Sequence, residues 1–120
     1  MFTSILHKGP PPTLQILFQG TLVAELRKNR ILGGPEYSFK YLPAFKELKL
    51  AALPGLPYRE EVQTRSELWP FFAERIPDVR RPEVLAWMKM NKLSGNDDIA
   101  LLAVLGAHSI TDPFEIRLAA

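Results

Sequence analysis

Three stretches in the first third of the chain have an apolar residue at every second position, which is the pattern of strands that bury one face. They cover Leu14–Phe18, Leu22–Leu26 and Tyr37–Tyr41, and the apolar face of the third is aromatic. Gln19-Gly20 predicts a tight hairpin turn between the first two, because glycine adopts positive φ at little cost. Gly33-Gly34-Pro35 predicts the turn before the third. The fold is therefore expected to begin with strands.

The middle of the chain has weaker patterns. The basic run Arg27–Arg30 is expected to end the second strand in solvent, and Pro43–Lys46 to form a single helical turn. Leu48–Leu53 predicts a short strand, whereas Pro54–Pro57 predicts an irregular link. The polar segment Tyr58–Arg65 is expected to be exposed.

Three helices are expected in the second half, and each has a start or stop signal. Pro70–Ile76 is the first, since proline is tolerated at the first helical position and Pro77 stops the helix. Pro82–Leu93 is the second, with Ser94-Gly95 as its end. Asn96 or Asp97 caps the third, which is apolar on nearly all sides and therefore central to the core.

The second helix is expected to bury Val84, Leu85 and Met88, with Trp87 on its flank. A closing strand follows at Phe114–Leu118, where apolar and charged residues alternate again. Strands, then helices, then one strand is an α+β order. We expect a small antiparallel sheet or partial barrel of the N-terminal strands plus the closing C-terminal strand, packed with three helices.

Ser66–Pro77 holds the densest aromatic cluster in the chain. Trp69, Phe71 and Phe72 fall within it, and at about 100° per residue their apolar arc is wider than one core face needs. Trp69 therefore has two interpretations. It packs in the core of this chain, or it is presented at the start of the helix as an anchor for a partner, since tryptophan is enriched at binding hot spots.

Composition limits the classes of function. The 120 residues form one domain of ordinary size, and 47% hydrophobic residues exclude disorder throughout. Zero cysteines exclude disulfides and sulfur-bound zinc, and a net charge of +2 is too small to predict nucleic-acid binding. Pro10-Pro11-Pro12 separates an expected flexible tail, residues 1–12, from a single domain, residues 13–120. The chain has no apolar run of about 20 residues and no signal-peptide pattern, so we expect it in the cytoplasm and away from membranes.

Candidate chemistry is sparse. His108 is expected at a helix C-terminus, where the dipole favours a structural imidazolium. A triad of His108, Asp112 and Ser109 lacks a nucleophile elbow, and capping explains the acidic pair Asp97 and Asp98. We therefore expect no catalytic, metal or cofactor site.

Three arginines form a predicted basic patch. Arg75 with Arg80 and Arg81 either makes a solvated surface or contacts an acidic partner. The acidic and basic residues are otherwise mixed, so direct contact with DNA is not expected.

Four motifs together resemble a known family. In order along the chain they are Phe18–Leu26 (FQGTLVAEL), Tyr37-Ser38-Phe39 with Tyr41 and Pro43, Pro70-Phe71-Phe72 with Ile76-Pro77, and Asp97–Gly106 (DDIALLAVLG). Over roughly Leu14–Leu118 they are similar to the N-terminal subdomain of HipA-type serine/threonine kinase toxins. In that family the subdomain precedes a kinase core, none of whose motifs occur here. The segment Thr111–Phe114 departs from the family's Gly-Ala-Val run.

The resemblance implies a role as an antitoxin. A separate copy of this subdomain resembles the HipS proteins of tripartite HipBST toxin–antitoxin systems, in which HipS binds and inhibits the kinase toxin HipT. HipB, a helix-turn-helix DNA-binding protein, completes the ternary complex, so contact with DNA is expected only through partners. A fragment of a full kinase would also explain the length, but the tail and the altered Pro113 region favour a natural small protein.

The resemblance also suggests a contact surface for the kinase. An exposed Trp69 would insert into the kinase cleft and keep its lobes apart, with Arg65, Pro70 and Ala73 as neighbouring contacts. The alternatives are a non-inhibitory scaffold or activating subunit that completes the kinase fold, a DNA-bound corepressor component, and an independent enzyme. Missing site chemistry makes the enzyme the weakest of these.

Overall fold

The computed structural model describes residues 12–93 and 97–119, with the backbone alone for residues 30 and 31. The predicted tail, residues 1–12, lies outside the described residues except for Pro12, which is exposed. The elements of the described part are β1 Thr13–Phe18, β2 Thr21–Ile31, β3 Gly34–Tyr41, α1 Pro43–Glu47, β4 Gln63–Arg65, α2 Pro70–Ala73, α3 Pro82–Met90, α4 Asp98–Val104 and β5 Phe114–Leu118.

The five strands form one antiparallel sheet in the order β4-β3-β2-β1-β5. The predicted closing strand is confirmed, because β5 pairs with β1 and places Leu118 opposite Leu14. An antiparallel sheet packed with helices confirms the predicted α+β class. The sheet stays open, so the small sheet is the predicted form that occurs, and the partial barrel is not formed. Four helices accompany it in the described residues, one more than the three predicted, because the turn at Pro43 is a short helix.

The first hairpin has the predicted turn and an unpredicted bulge. Gln19 and Gly20 both have positive φ, at 49° and 85°. The register of β1 and β2 shifts after Ile16, which pairs with Ala24, so Val23 has no residue opposite it. A bulge of this kind lets two successive residues face the core, and both Val23 and Ala24 are buried.

Two predictions for the middle of the chain are wrong. Strand β2 continues to Ile31 instead of ending at the basic run, and the side chain of Lys28 is only 22% exposed because it pairs with Asp98. Leu48–Leu53 is not a strand. The missed edge strand is β4, whose three residues are too few and too polar to show alternation.

The helices are shorter than predicted. Regular α2 ends at Ala73, and the chain continues in turns to Ile76, whose N–H donates to the Ala73 carbonyl at 3.2 Å. Helix α3 ends at Met90 rather than Leu93, and the predicted end at Ser94-Gly95 lies outside the described residues, as does Asn96. Leu85 is 48% exposed, so its predicted burial is wrong, although Val84 and Met88 are buried.

The core fills the space between the sheet and the helices as two clusters. The larger contains the aromatic face of β3 with Phe45, Trp69 and Phe72, and the smaller contains Val84, Met88 and Leu101. Helix α4 contributes to both, since its Ile99 and Leu102 belong to the larger cluster. Its predicted central position is therefore confirmed.

Candidate partner-binding surface

The Tyr41 hydroxyl holds the loop at Leu53–Leu56, which borders α2, in place. It accepts a hydrogen bond from the Leu53 N–H at 3.0 Å and donates one to the Leu56 carbonyl. Between them Pro54 and Gly55 form a tight turn, in which the Leu56 N–H donates to the Leu53 carbonyl at 2.9 Å. Gly55 has φ 77°, as the third residue of a type II turn requires. Burial raises the pKa of Tyr41, so its hydroxyl stays protonated as a donor.

Helix α2 starts beside this turn. The Trp69 backbone is extended (φ −65°, ψ 148°), and its carbonyl accepts from the N–H groups of Phe72 and Ala73, both at 2.9 Å. Pro70 occupies the first helical position, where its missing N–H costs no bond. A methyl group added to Gly55 would lie 3.6 Å from Pro70 Cδ. The turn and the helix start are therefore in near contact.

The Trp69 side chain does not form an exposed anchor. It is 5% exposed and its ring centre lies 6.1 Å from that of Phe39, so the core interpretation applies. The helical arc that suggested exposure counted Trp69 as a helical residue. Because its backbone is extended, the side chain turns back toward the sheet instead of projecting at the edge of the helix.

The other residues of the predicted contact are exposed. Pro70 and Ala73 lie one turn apart on the solvent side of α2. Arg65 ends β4, opposite Tyr37 of β3, and its guanidinium lies 3.5 Å from the exposed carboxylate of Glu67. We call Pro70, Ala73 and the neighbouring Pro54-Gly55 turn the α2 surface. Its contact with a partner, and that of Arg65, stay predictions.

Tyr58 borders the same loop and was not singled out from the sequence. Its ring stacks on Tyr41 at 5.4 Å and on Phe45 at 6.2 Å, while 38% of the residue stays exposed. Gln63 donates from Nε2 to the Pro57 carbonyl at 2.9 Å, which holds the segment between them in place. The one sequence signal was an aromatic residue at the start of a run that is polar except for Val62.

The predicted basic patch does not exist as a unit. Arg75 is buried at 9% exposure, and its guanidinium binds backbone carbonyls and one carboxylate. Arg80 and Arg81 are exposed, and each pairs with an acid two residues away, Asp78 and Glu83 respectively. Hydrogen bonds from Arg80 lower the pKa of Asp78 to about 2.

The triad residues do not assemble. His108 lies beyond the end of α4, contrary to expectation, and its Nε2 atom is 3.9 Å from a carboxylate oxygen of Glu115. Asp112 binds Arg75 instead of His108. The Ser109 hydroxyl is 2.8 Å from the hydroxyl of the threonine two residues later.

The acidic pair at the start of α4 has two separate roles. Asp97 caps the helix as predicted, accepting from the Ala100 N–H at 3.2 Å. Asp98 instead contacts Lys28 at 3.0 Å and accepts a hydrogen bond from the Tyr37 hydroxyl. Burial raises the pKa of Tyr37, and the Asp98 carboxylate raises it further. This cluster attaches α4 to the sheet.

Candidate metal sites and membrane-spanning helices are both absent from the described residues. Among these side chains, no group of three or more histidines, cysteines, aspartates and glutamates is placed to hold a metal ion. No helix of residues 12–93 and 97–119 has the length and apolarity needed to span a bilayer.

Comparison with known proteins identifies the family. A search of curated proteins found no match. A family model described as the HipA N-terminal domain matches residues 14–110, which include β1 from its second residue, β2 to β4 and the four helices of the described residues, whereas β5 lies beyond the match. The chain therefore belongs to the HipA N-terminal domain family.

Proposed function

We propose that the chain is an antitoxin that binds a HipT-like serine/threonine kinase and inhibits it. Membership of the HipA N-terminal domain family is the observation that carries this proposal, since it points to partners from HipA-type systems. The geometry of the α2 surface supports it, because an exposed patch with a fixed backbone loses little entropy on binding.

The contact is assigned to Pro70, Ala73 and Arg65. Pro70 and Ala73 present small, uncharged side chains that let a partner backbone approach α2 closely. Arg65 adds a charge at the margin, where its exposed pair with Glu67 is weak and easily exchanged. Trp69 acts here as a positioning residue, since its buried ring sets the place where α2 begins.

Inhibition follows from occupancy of the kinase cleft. A rigid wedge between the lobes of a kinase prevents the closure that positions nucleotide and substrate. We further propose a ternary complex with a HipB-like helix-turn-helix protein in the cytoplasm. DNA is then contacted through that partner.

An exposed alanine gives a sharp test of the contact. Ala73→Arg places a long charged side chain on the α2 surface without touching the core, and we expect it to abolish inhibition of the cognate HipT-like kinase. Thr21→Arg, at the exposed first residue of β2, is the matched control and should inhibit like the wild type. Kinase autophosphorylation and rescue of growth are the two readouts.

Three results would contradict the proposal in different ways. Equal inhibition by Ala73→Arg and wild type would move the contact away from α2. Kinase activity that rises when the chain is added would favour an activating subunit. A kinase that is unaffected and unbound would remove the antitoxin role.

A further inference from the structure

Helix α2 is too short to keep its place by itself. It has four residues, Pro70–Ala73, whereas an isolated helix is marginal in water below about 12 residues. The loop held by Tyr41 borders the end at which α2 begins. The α2 surface is presented in one defined position only if the other end of the helix is held as well.

Arg75 makes that second attachment. Its N–H donates to the Phe72 carbonyl at 3.0 Å, which links its backbone to the end of α2. Its guanidinium carbon lies 5.4 Å from the centre of the Phe71 ring, and that ring centre lies 5.9 Å from the ring centre of Phe114 in β5. Arg75 is therefore connected to α2 through both its backbone and its side chain.

The guanidinium is bound by residues that come after α4 in the sequence. It donates to the carboxylate of Asp112 and to the carbonyls of Gly106 and Phe114. The side chains of the ion pair are 3% and 20% exposed, so the pair is largely removed from water. The Phe114 N–H donates to the Asp112 carboxylate at 2.9 Å, which fixes the orientation of the acid. Asp112 and Phe114 lie beyond residue 110, where the family match ends.

We infer that Arg75 and Asp112 are positioning residues for the contact between α2 and the kinase. This inference rests on the proposed function, in which Pro70 and Ala73 touch the partner. Arg75 is buried and Asp112 lies outside the α2 surface, so the pair acts through the helix. It keeps α2 in the position that binds.

The expected size of the effect follows from the population of that position. When only a fraction of the molecules can bind, the apparent affinity falls by the same fraction. A variant whose α2 is in the binding position in about one molecule in ten would therefore bind about tenfold more weakly. Changes at residues that do not touch a ligand commonly alter affinity by factors of this order.

The experiment measures the affinity of the full chain for the recombinant HipT-like kinase. Asp112→Asn removes the counterion of Arg75 with little change in shape, and we expect affinity to fall about tenfold. Asp98→Asn is the matched control, because it makes the same replacement at the ion pair that attaches α4 to the sheet, where Lys28 Nζ lies 3.0 Å from the carboxylate. Each affinity is expressed per folded molecule, with the folded fraction taken from urea unfolding. The control should then bind like the wild type.

The outcomes separate this inference from the proposed function. If wild type binds, Ala73→Arg fails to bind and Asp112→Asn keeps full affinity, the pair does not position α2 and the antitoxin role stands. Equal losses in Asp112→Asn and Asp98→Asn would indicate general destabilisation and overturn the inference. Wild-type affinity in Ala73→Arg would place the contact elsewhere and overturn it as well. If wild type itself does not bind, the proposed function fails and the inference fails with it.

Hydrogen exchange tests the same inference without the kinase. We expect the hydrogen-bonded N–H groups of α2 to exchange faster in Asp112→Asn than in wild type, while those of β1 and β2 change less. A uniform increase in all elements would contradict a local role. If Asp112→Asn does not fold, Arg75→Lys takes its place, because it keeps the cation and gives up the forked set of donors.

Discussion

Both carboxylate oxygens of Asp112 contact Nη1 of Arg75, at 2.8 and 2.7 Å. The same guanidinium donates from Nε to the Gly106 carbonyl at 2.8 Å, and from Nη2 to the carbonyls of Ala107 at 3.1 Å and Phe114 at 2.9 Å. One buried cation therefore joins the turns after α2, the end of α4 and the start of β5. This role explains why the charged Arg75 occurs in a buried segment, shortly after the buried Phe71 and Phe72.

Removal of the carboxylate is predicted to destabilise the fold. Asp112→Asn leaves a buried charge without its counterion, and we expect the free energy of unfolding in urea to fall by about 3 kcal/mol. Arg80→Ala is the control, because its pair with Asp78 is exposed and its loss should leave the urea midpoint unchanged.

The bonds to carbonyls can be separated from the ion pair. Replacement of a simple buried pair by apolar residues is often neutral, but Arg75→Met with Asp112→Leu would also remove the guanidinium bonds to the Gly106 and Phe114 carbonyls. The Ala107 carbonyl would keep its second donor, the Ile116 N–H at 2.9 Å. We therefore expect the double variant to remain less stable than wild type. Full recovery would show that the pair alone mattered.

Replacement of Trp69 is predicted to lower the stability of the fold first, and binding to the kinase as a consequence. Trp69→Ala removes a buried indole from the larger core cluster, so we expect a loss of about 3–5 kcal/mol in the free energy of unfolding. Trp69→Phe should lose less and retain kinase inhibition. The measurement is urea unfolding of both variants, monitored through the fluorescence of Trp87.

The outcome distinguishes a positioning role from an anchor. A Trp69→Ala variant as stable as wild type but unable to inhibit would mean that the indole leaves the core to bind the kinase. Inhibition that tracks the folded fraction across Trp69→Phe and Trp69→Ala supports positioning.

Much of the architecture was predictable because it depends on local chemistry. Alternation located β1 and the aromatic face of β3, glycine located the first hairpin, and the prolines marked the starts of α2 and α3. The cap of α4 was predicted to be Asn96 or Asp97, and Asp97 forms it. Each of these signals acts within a few residues, which is the range over which a sequence pattern can be interpreted directly.

The predictions that were wrong or left open concern residues whose partners lie in distant parts of the chain. Lys28 was placed in solvent because its partner, Asp98, is 70 residues away. Arg75 was assigned to a surface patch because its carbonyl partners come after α4 in the sequence, far from Arg75 itself. Trp69 was left with two interpretations since burial depends on the strand that faces it. No local pattern encodes these pairings.

A side chain at Gly106 is predicted to destabilise the fold. A Cβ there would lie 3.1 Å from the Arg75 carbonyl oxygen, 3.1 Å from Leu102 Cδ2 and 3.2 Å from Arg75 Cβ. Because one of these neighbours is backbone, we expect Gly106→Ala to cost about 1–2 kcal/mol through overpacking. Urea unfolding tests this, and an unchanged midpoint would mean that the turns after α2 shift without cost.

The alkaline limit of stability is predicted to depend on Tyr41. Its pKa is raised above the ordinary value of 10.0, mainly by burial, so the folded state holds this proton more tightly than the unfolded state. The resulting contribution to stability is complete below about pH 10 and is lost as pH rises through the folded-state pKa. Tyr37 acts in the same direction. The free energy of unfolding should therefore decline above about pH 10, together with the appearance of tyrosinate absorbance.

Tyr41→Phe tests both roles of the hydroxyl. At neutral pH we expect a loss of about 1–3 kcal/mol, because the buried Leu53 N–H and Leu56 carbonyl lose their partner. In alkali the variant should decline less steeply than wild type, since one titrating group is gone. Tyr58→Phe is the control, as its ring stays stacked on Tyr41 and Phe45 without the hydroxyl. Curves for wild type and Tyr41→Phe that stay parallel through the alkaline range would show that the Tyr41 proton is not linked to folding.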